Sequence, residues 1–211
     1  MSKIHLEILD LERKQILQSL EAFKDTCYLA GGTALALQTG HRLSVDFDLF
    51  TPKPLSNILR KRVRDIFGDV RFYISSADQI SFSSKNISIT FLYYWFPLIK
   101  PKVATNSVPY ASVTDIISDK AQTLGRRAVW RDYADIFYVL KNNLFSLEMV
   151  IENACKKFKG EFVKEQFLEQ LVYFEDVEIV KIDWIKEQYT SSDIKSFLEK
   201  SVQNYMRKIA K

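Results

Sequence analysis

The chain has 211 residues, 47% of them hydrophobic in type, and a formal net charge of +4 at pH 7. That is enough for one medium domain or two small lobes with their own cores, so neither a disulfide framework nor a structural metal is needed for folding. The weak positive charge is compatible with nucleic-acid binding but does not argue for it. The clusters Arg60-Lys61-Arg62-Arg64 and Arg126-Arg127-Arg131 say more than the net value.

In chain order, Leu6 to Phe23 carries apolar residues at helical spacing and predicts one amphipathic helix. Cys27 to Ala30 predicts a short strand that ends in the turn Gly31-Gly32. Thr33 to Gln38 predicts a short helix closed by Gly40, and Ser44 to Phe50 alternates as a strand stopped by Thr51-Pro52. Leu55 to Phe67 predicts a second amphipathic helix. Strands follow at Val70 to Ile74, Ile80 to Ser83 and Ile87 to Phe96, the last rich in β-branched and aromatic residues and read as core. From Val113 the pattern is helical: Val113 to Arg127, Arg131 to Leu140, Leu147 to Phe158, Lys164 to Phe174 and Ile194 to Ile209. The fold class is therefore α+β. A mixed α/β lobe over residues 1–110 precedes an all-α lobe over 111–211, with a ligand expected in a cleft between them.

Cys27 and Cys155 have no metal or redox spacing and read as buried thiols in a reducing compartment. The N-terminus lacks the apolar core of a secretory signal, and no apolar run approaches the ~20 residues of a membrane span, so a cytoplasmic protein with no membrane partner is expected.

The chemistry concentrates at Gly31-Gly32-Thr33 and Asp46-Phe47-Asp48. Glycines let backbone amides approach an anion, and the first N–H groups of the following helix carry partial positive charge. Two carboxylates two residues apart on a strand share a face, which suits a magnesium ion that also holds phosphate oxygens. Each half has an ordinary reading, a simple turn and a solvated pair of acids; their combination in a strand–turn–helix–strand context favours the functional one.

The stretches Leu29-Ala30-Gly31-Gly32-Thr33-Ala34-Leu35-Ala36-Leu37 and Gly40-His41-Arg42-Leu43-Ser44-Val45-Asp46-Phe47-Asp48-Leu49-Phe50 resemble the first motif of the AbiEii/AbiGii toxin family, in the DNA polymerase β-type nucleotidyltransferase superfamily. Asp115-Ile116, Lys120, Arg127 and Arg131-Asp132-Tyr133-Ala134-Asp135 resemble its later helical motifs, and Leu171 to Asp176 is a weaker echo. The resemblance implies a nucleotidyltransferase-type mixed sheet followed by a helical lobe. It also implies transfer of a nucleotide from a nucleoside triphosphate to an acceptor, with RNA at the transfer-RNA 3′ end as the expected class. The protein would then be the toxin of a type IV toxin–antitoxin pair, with a cognate antitoxin protein as a partner. By the same resemblance Asp46 and Asp48 bind one or two magnesium ions. Gly31, Gly32, Thr33, Arg42, Ser44, Lys120, Arg127 and Arg131 contact the nucleotide, and Asp132 or Asp135 acts as base or orients Lys120.

Alternatives stand beside these roles. Lys120, among Asp115, Asp119 and Arg127, also fits a surface ion pair, and Asp132 near a helix start also fits a dipole role. Arg42 equally suits a pair with Asp46 or Asp48; His41 suits a turn-shaping role and Asp176 a structural one. The basic run at Arg60 to Arg64 suits either a phosphate backbone or a solvated helix face. One departure weighs on the assignment. Many relatives in the superfamily carry a third acid on a later strand, and Ile87 to Tyr94 has none. A nucleotide-binding module with little or no turnover, acting through a protein partner, is therefore the second reading.

Overall fold

The computed structural model describes residues 3–210. They fall into two compact units, one running to Ser112 and the other beginning at Val113.

The first unit opens with a 3-10 turn, Leu6–Ile8, and the helix α1, Leu11–Ser19, which tightens into a second 3-10 turn at Leu20–Phe23. The single helix expected over Leu6 to Phe23 is thus broken. The reason is Asp10, whose carboxylate accepts from the Arg13 backbone N–H and makes it the N-cap of α1. Next come β1 (Tyr28–Ala30), α2 (Gly31–Thr39), β2 (Phe47–Thr51), α3 (Asn57–Phe67), β3 (Phe72–Ser75), β4 (Gln79–Ser84) and β5 (Ile87–Tyr93). Gly40 caps α2 in the left-handed conformation, and the Ser56 side chain caps α3.

The strands form one mixed sheet in the order β1-β2-β5-β4-β3, with β2 and β5 parallel and the other pairs antiparallel. Lys85 and Asn86, both at positive φ, make the two-residue turn that joins β4 to β5 in register Ser84 to Ile87. Register sorts the two faces. Phe47, Leu49, Ile89 and Phe91 line one face together with Ile80 and Phe82, and all are buried. Phe23 and Phe67 cover them, with ring centroids 5.0 Å from Phe91 and 5.3 Å from Phe82. Burial of this cluster holds the sheet against α3, at roughly 2 kcal/mol per large apolar side chain. The opposite face carries Asp48 and, across the register, Ala30, Thr90 and Ser81.

The aromatic run after Phe91 is not all core, contrary to the sequence expectation: Trp95 is 60% exposed. β5 ends at Tyr93, so the alternation that would have tucked every second side chain inward stops there. The three arginines of the basic run on α3 are engaged by their own unit. Arg60 donates to Ser75 Oγ and the Leu55 carbonyl, both at 3.2 Å; Arg62 sits 5.7 Å from the Phe23 ring centre and Arg64 4.8 Å from that of Phe72. Residues 109–111 return to β1, where the Leu29 N–H donates to the Pro109 carbonyl and the Ala111 N–H to the Leu29 carbonyl. These bonds carry the first unit past Pro109.

The second unit is helical: α4 (Val113–Leu124), α5 (Trp130–Lys141), α6 (Leu147–Phe158), α7 (Lys164–Val172) and α8 (Ser191–Ile209). Hydroxyl caps start α6 at Ser146 and α8 at Thr190, the latter in a reciprocal capping box with Asp193. The irregular stretch before α8 is tied down by Tyr133 Oη, 3.0 Å from the Tyr173 carbonyl, and by Trp184 Nε1, which donates to the Tyr189 carbonyl. Among the described residues no helix is long and apolar enough to cross a membrane.

A buried ion cluster joins α4 to α6. Lys157 Nζ, on a fully buried side chain, lies 3.1 Å from Asp115 and 2.6 Å from Asp119. Lys157→Met removes the cation between two carboxylates and is expected to destabilise the protein by ~3–5 kcal/mol. Urea denaturation reads this directly, and an unchanged midpoint would show that the cluster is not the bond between these helices.

The two cysteines differ, which corrects the expectation that both are buried. Cys27 is buried, and desolvation pushes its thiol up to about 11, whereas Cys155 is exposed. At pH 8 Cys27 is therefore held as the thiol, while the thiolate is the reactive form. Iodoacetamide at that pH is expected to alkylate Cys155 and to leave Cys27 until the protein unfolds. Peptide mapping checks this, and equal labelling of both would contradict the buried position.

Candidate active site

The turn between β1 and α2 is built around Gly31. Its φ is +66°, a region that L side chains rarely occupy, and a Cβ there would lie 2.4 Å from Asp48 Oδ2. Both constraints demand glycine. The contact follows from sheet register: Ala30, the N-cap of α2, pairs with Asp48 across the β1–β2 ladder. The Asp48 carboxylate therefore rests at the start of α2, where the helix presents its positive end. Ala30 has no oxygen on its side chain to cap that end. Behind the turn, α2 is buried from Thr33 through Leu37 and packs on β1 and β2, which fixes its direction.

Asp46 and Asp48 differ in setting. Asp48 is the second residue of β2 and half-buried; Asp46 precedes the strand and is exposed. The expected strand from Ser44 thus starts three residues later, at Phe47, because the segment before it bonds to side chains instead of a ladder. Thr33 Oγ1 reaches the Asp46 carbonyl and lies 2.9 Å from Ser44 Oγ. Arg13 Nε, on α1, donates to the Val45 carbonyl at 3.3 Å. Arg42 is buried, donates from Nη1 to the Leu43 carbonyl at 2.9 Å, and lays its guanidinium against Gly32, 2.7 Å from where a Cβ would stand. His41 is buried with Nδ1 2.6 Å from Thr39 Oγ1, in the turn-shaping role expected of it.

Beside Asp48 the sheet carries hydroxyls. Thr90 on β5 is its register partner, and Ser81 on β4 follows with its Oγ 3.0 Å from Thr90 Oγ1. The acid-free strand of the sequence is therefore Asp48's direct neighbour. Among the described residues no group of three or more His, Cys, Asp or Glu is gathered to hold a metal.

In the helical unit Lys120 is buried, not on the surface as one reading had it. Its Nζ lies 2.5 Å from Asp132 Oδ1 and 2.8 Å from Asp135 Oδ2. The three-residue spacing of the two acids on α5 puts them on one face, and that face grips the lysine. Asp115 and Asp119, the neighbours named from sequence, belong instead to Lys157. Arg127 and Arg131 are exposed; Arg127 lies beyond the end of α4, which stops at Leu124, and Arg131 is the second residue of α5. Asp176 accepts from Gln170 Nε2 at 3.3 Å. Sequence reasoning missed Arg13, Lys157 and the Ser81–Thr90 pair. None stands in a motif, and each is found only through a partner distant in sequence.

Comparison with known proteins agrees with this architecture. The family model described as nucleotidyl transferase AbiEii toxin, type IV TA system, matches residues 15–207. An uncharacterized protein of Aquifex aeolicus is 29% identical over 184 residues, covering 85% of this chain and 87% of its own. Among solved structures, MenT4, a nucleotidyltransferase toxin of Mycobacterium tuberculosis, aligns with a TM-score of 0.60 at 13% identity, over 90% of this chain and 80% of that one. JHP933 of Helicobacter pylori aligns with a TM-score of 0.55 at 14% identity, over 96% and 97%. At such identities the structures speak for the fold, and the family match, which spans most of the sequence, shows that the chain belongs to the AbiEii nucleotidyltransferase toxin family.

Proposed function

We propose that this protein is a magnesium-dependent nucleotidyltransferase that moves a nucleotide from a nucleoside triphosphate onto RNA, with the transfer-RNA 3′ end as the acceptor class. In the cell it would act in the cytoplasm as the toxin of a type IV pair, opposed by an antitoxin protein. The observation that carries the reading is the seating of Asp48 on Gly31 at the start of α2, two residues from the exposed Asp46. The naming of MenT4 as a nucleotidyltransferase toxin adds support.

The donor set fits magnesium. The ion takes hard oxygen ligands, commonly one or two carboxylates, and completes its shell with water and phosphate oxygens. Asp46 and Asp48 are such ligands, and the sheet beside Asp48 offers only neutral hydroxyls. When bound, magnesium would neutralise charge on the triphosphate and favour ionisation of the attacking hydroxyl.

The chain's own contribution is position. Asp48 is fixed by the β1–β2 and β2–β5 ladders. The first amide groups of α2, with the helix dipole behind them, favour an anionic phosphate group. The buried Arg42 guanidinium against Gly32 adds positive charge at the same turn. Lys120 is held between two carboxylates of its own helical unit. The proposed chemistry therefore rests on the first unit, with Lys120, Asp132 and Asp135 as a pre-formed charge cluster open to mutational test.

The second reading, nucleotide binding without turnover, is favoured by one observation: Thr90 and Ser81 occupy the row where a third acid would stand. A transfer assay separates the two. Purified protein with magnesium and each labelled triphosphate is incubated with total RNA. Asp46→Ala and Asp48→Asn are each expected to lower transfer by about 10²–10³-fold, the usual scale for losing one group that stabilises charge. Circular dichroism should stay unchanged, and chelation of magnesium should abolish labelling. Wild-type protein that binds nucleotide but never labels RNA would support the second reading; one that binds no nucleotide would sink both.

Gly31→Ala tests the turn. It places a side chain in left-handed backbone, at ~1–2 kcal/mol, and drives a methyl into the Asp48 carboxylate. Loss of nucleotide binding together with a lowered melting temperature is expected. Retention of both would show that the Asp48 contact is dispensable.

A further inference from the structure

The segment from His41 to Asp46 lies between α2 and β2 and outside any named strand. Its backbone carbonyls still need partners. Side chains supply three of them: Arg42 reaches the Leu43 carbonyl, Arg13 the Val45 carbonyl and Thr33 the Asp46 carbonyl. Two of these donors come from elsewhere in the chain, Arg13 from α1 and Thr33 from the first turn of α2.

We propose that Arg13 and Thr33 are positioning residues that fix the segment carrying Asp46, and that the Thr33 hydroxyl serves this purpose in place of a phosphate. The importance of the pair for metal binding rests on the reading of Asp46 given above. Thr33 is 1% exposed, so a ligand has almost no access to it. Its hydroxyl, with a single proton to give, faces two acceptors of this segment, the Asp46 carbonyl and Ser44 Oγ at 2.9 Å. Both hydroxyls are occupied inside the segment. Arg13 is itself braced, since Asp10 accepts from its backbone N–H at 2.8 Å and forms an ion pair with its guanidinium. The acid that caps α1 thus also aims Arg13 at Val45. Bonds hold the carbonyls on both sides of the Asp46 Cα while the Asp46 side chain stays exposed. That is the backbone beneath a carboxylate held in place before any ion arrives.

The test uses full-length protein with Thr33→Val, which keeps the shape and loses the hydroxyl, Thr33→Ser, which keeps the hydroxyl, and Arg13→Ala. Hydrogen exchange of amides 43–47 is measured together with Mn²⁺ affinity by electron paramagnetic resonance and nucleotide affinity without metal. Thr33→Val and Arg13→Ala are expected to speed exchange in this segment and to weaken Mn²⁺ binding, each by about ten-fold, roughly the worth of one hydrogen bond. Thr33→Ser should restore both, and metal-free nucleotide affinity should stay within about two-fold, as no phosphate contact is lost. Unchanged exchange in Thr33→Val, with weakened nucleotide binding, would make Thr33 a phosphate ligand and overturn the proposal. Should Thr33→Val not fold, Arg13→Ala decides through the same exchange measurement, since Arg13 lies at the surface of α1. Faster exchange in a protein that takes no Mn²⁺ would uphold the positioning role and sink the metal role of Asp46, so the two ideas fail separately.

Discussion

The contact between the Asp48 carboxylate and Gly31 organises the first unit. An oxygen stands 2.4 Å from where any other residue would place its Cβ, so strand β2 and helix α2 meet more closely there than side chains would permit. Three features converge on it. The β1–β2 register sets Asp48 opposite Ala30, the left-handed turn at Gly31 opens α2, and the buried apolar body of α2 holds its first turn against the sheet. Loss of any one would move an acid away from a helix start, and with it the pairing of negative side chain and positive backbone on which the proposed phosphate-and-cation site depends.

The same economy appears on the other side of the turn. A loop between a helix and a strand usually varies in position because few of its backbone groups are bonded. Here Arg13, Thr33 and Arg42 each take a carbonyl of the loop, and His41 is buried against Thr39. The polar residues around the motif therefore divide by what they face. Thr33, Arg42 and Ser44 bond within the segment; Asp46 faces water. Such a division favours a site whose geometry exists before the ligand, which reduces the ordering required on binding.

Much of this was legible in the sequence because it depends on local rules. Gly31-Gly32 after an apolar strand, Gly40 at a helix end and the alternation through β2 each carry their own physical reason at short range. What was not legible depends on partners distant in the chain. Asp10 reads as one more charge on a helix until its bond to the Arg13 amide shows it as a cap. Lys120 has acids near it in sequence on both sides, and only packing decides that α5 supplies its partners while α4's own acids turn to Lys157. The aromatic run through Phe96 misleads for a related reason: β-propensity says that such residues suit a sheet, not where the sheet stops.

The helical unit resolves its charges in a way that constrains register. Asp115 and Asp119 are four apart and share a face of α4, which meets Lys157 of α6. Lys120 comes next in sequence, about 100° further round the helix, and meets Asp132 and Asp135 of α5. One helix thus offers acids to one neighbour and a base to the other. Turning α4 by a single residue would bring Asp119 toward the two acids of α5 and take the carboxylates away from Lys157. Either error leaves buried charge without its opposite, at several kcal/mol. The arrangement holds Lys120 at a fixed place between two carboxylates, and any part that it takes in handling phosphate begins from that fixed point.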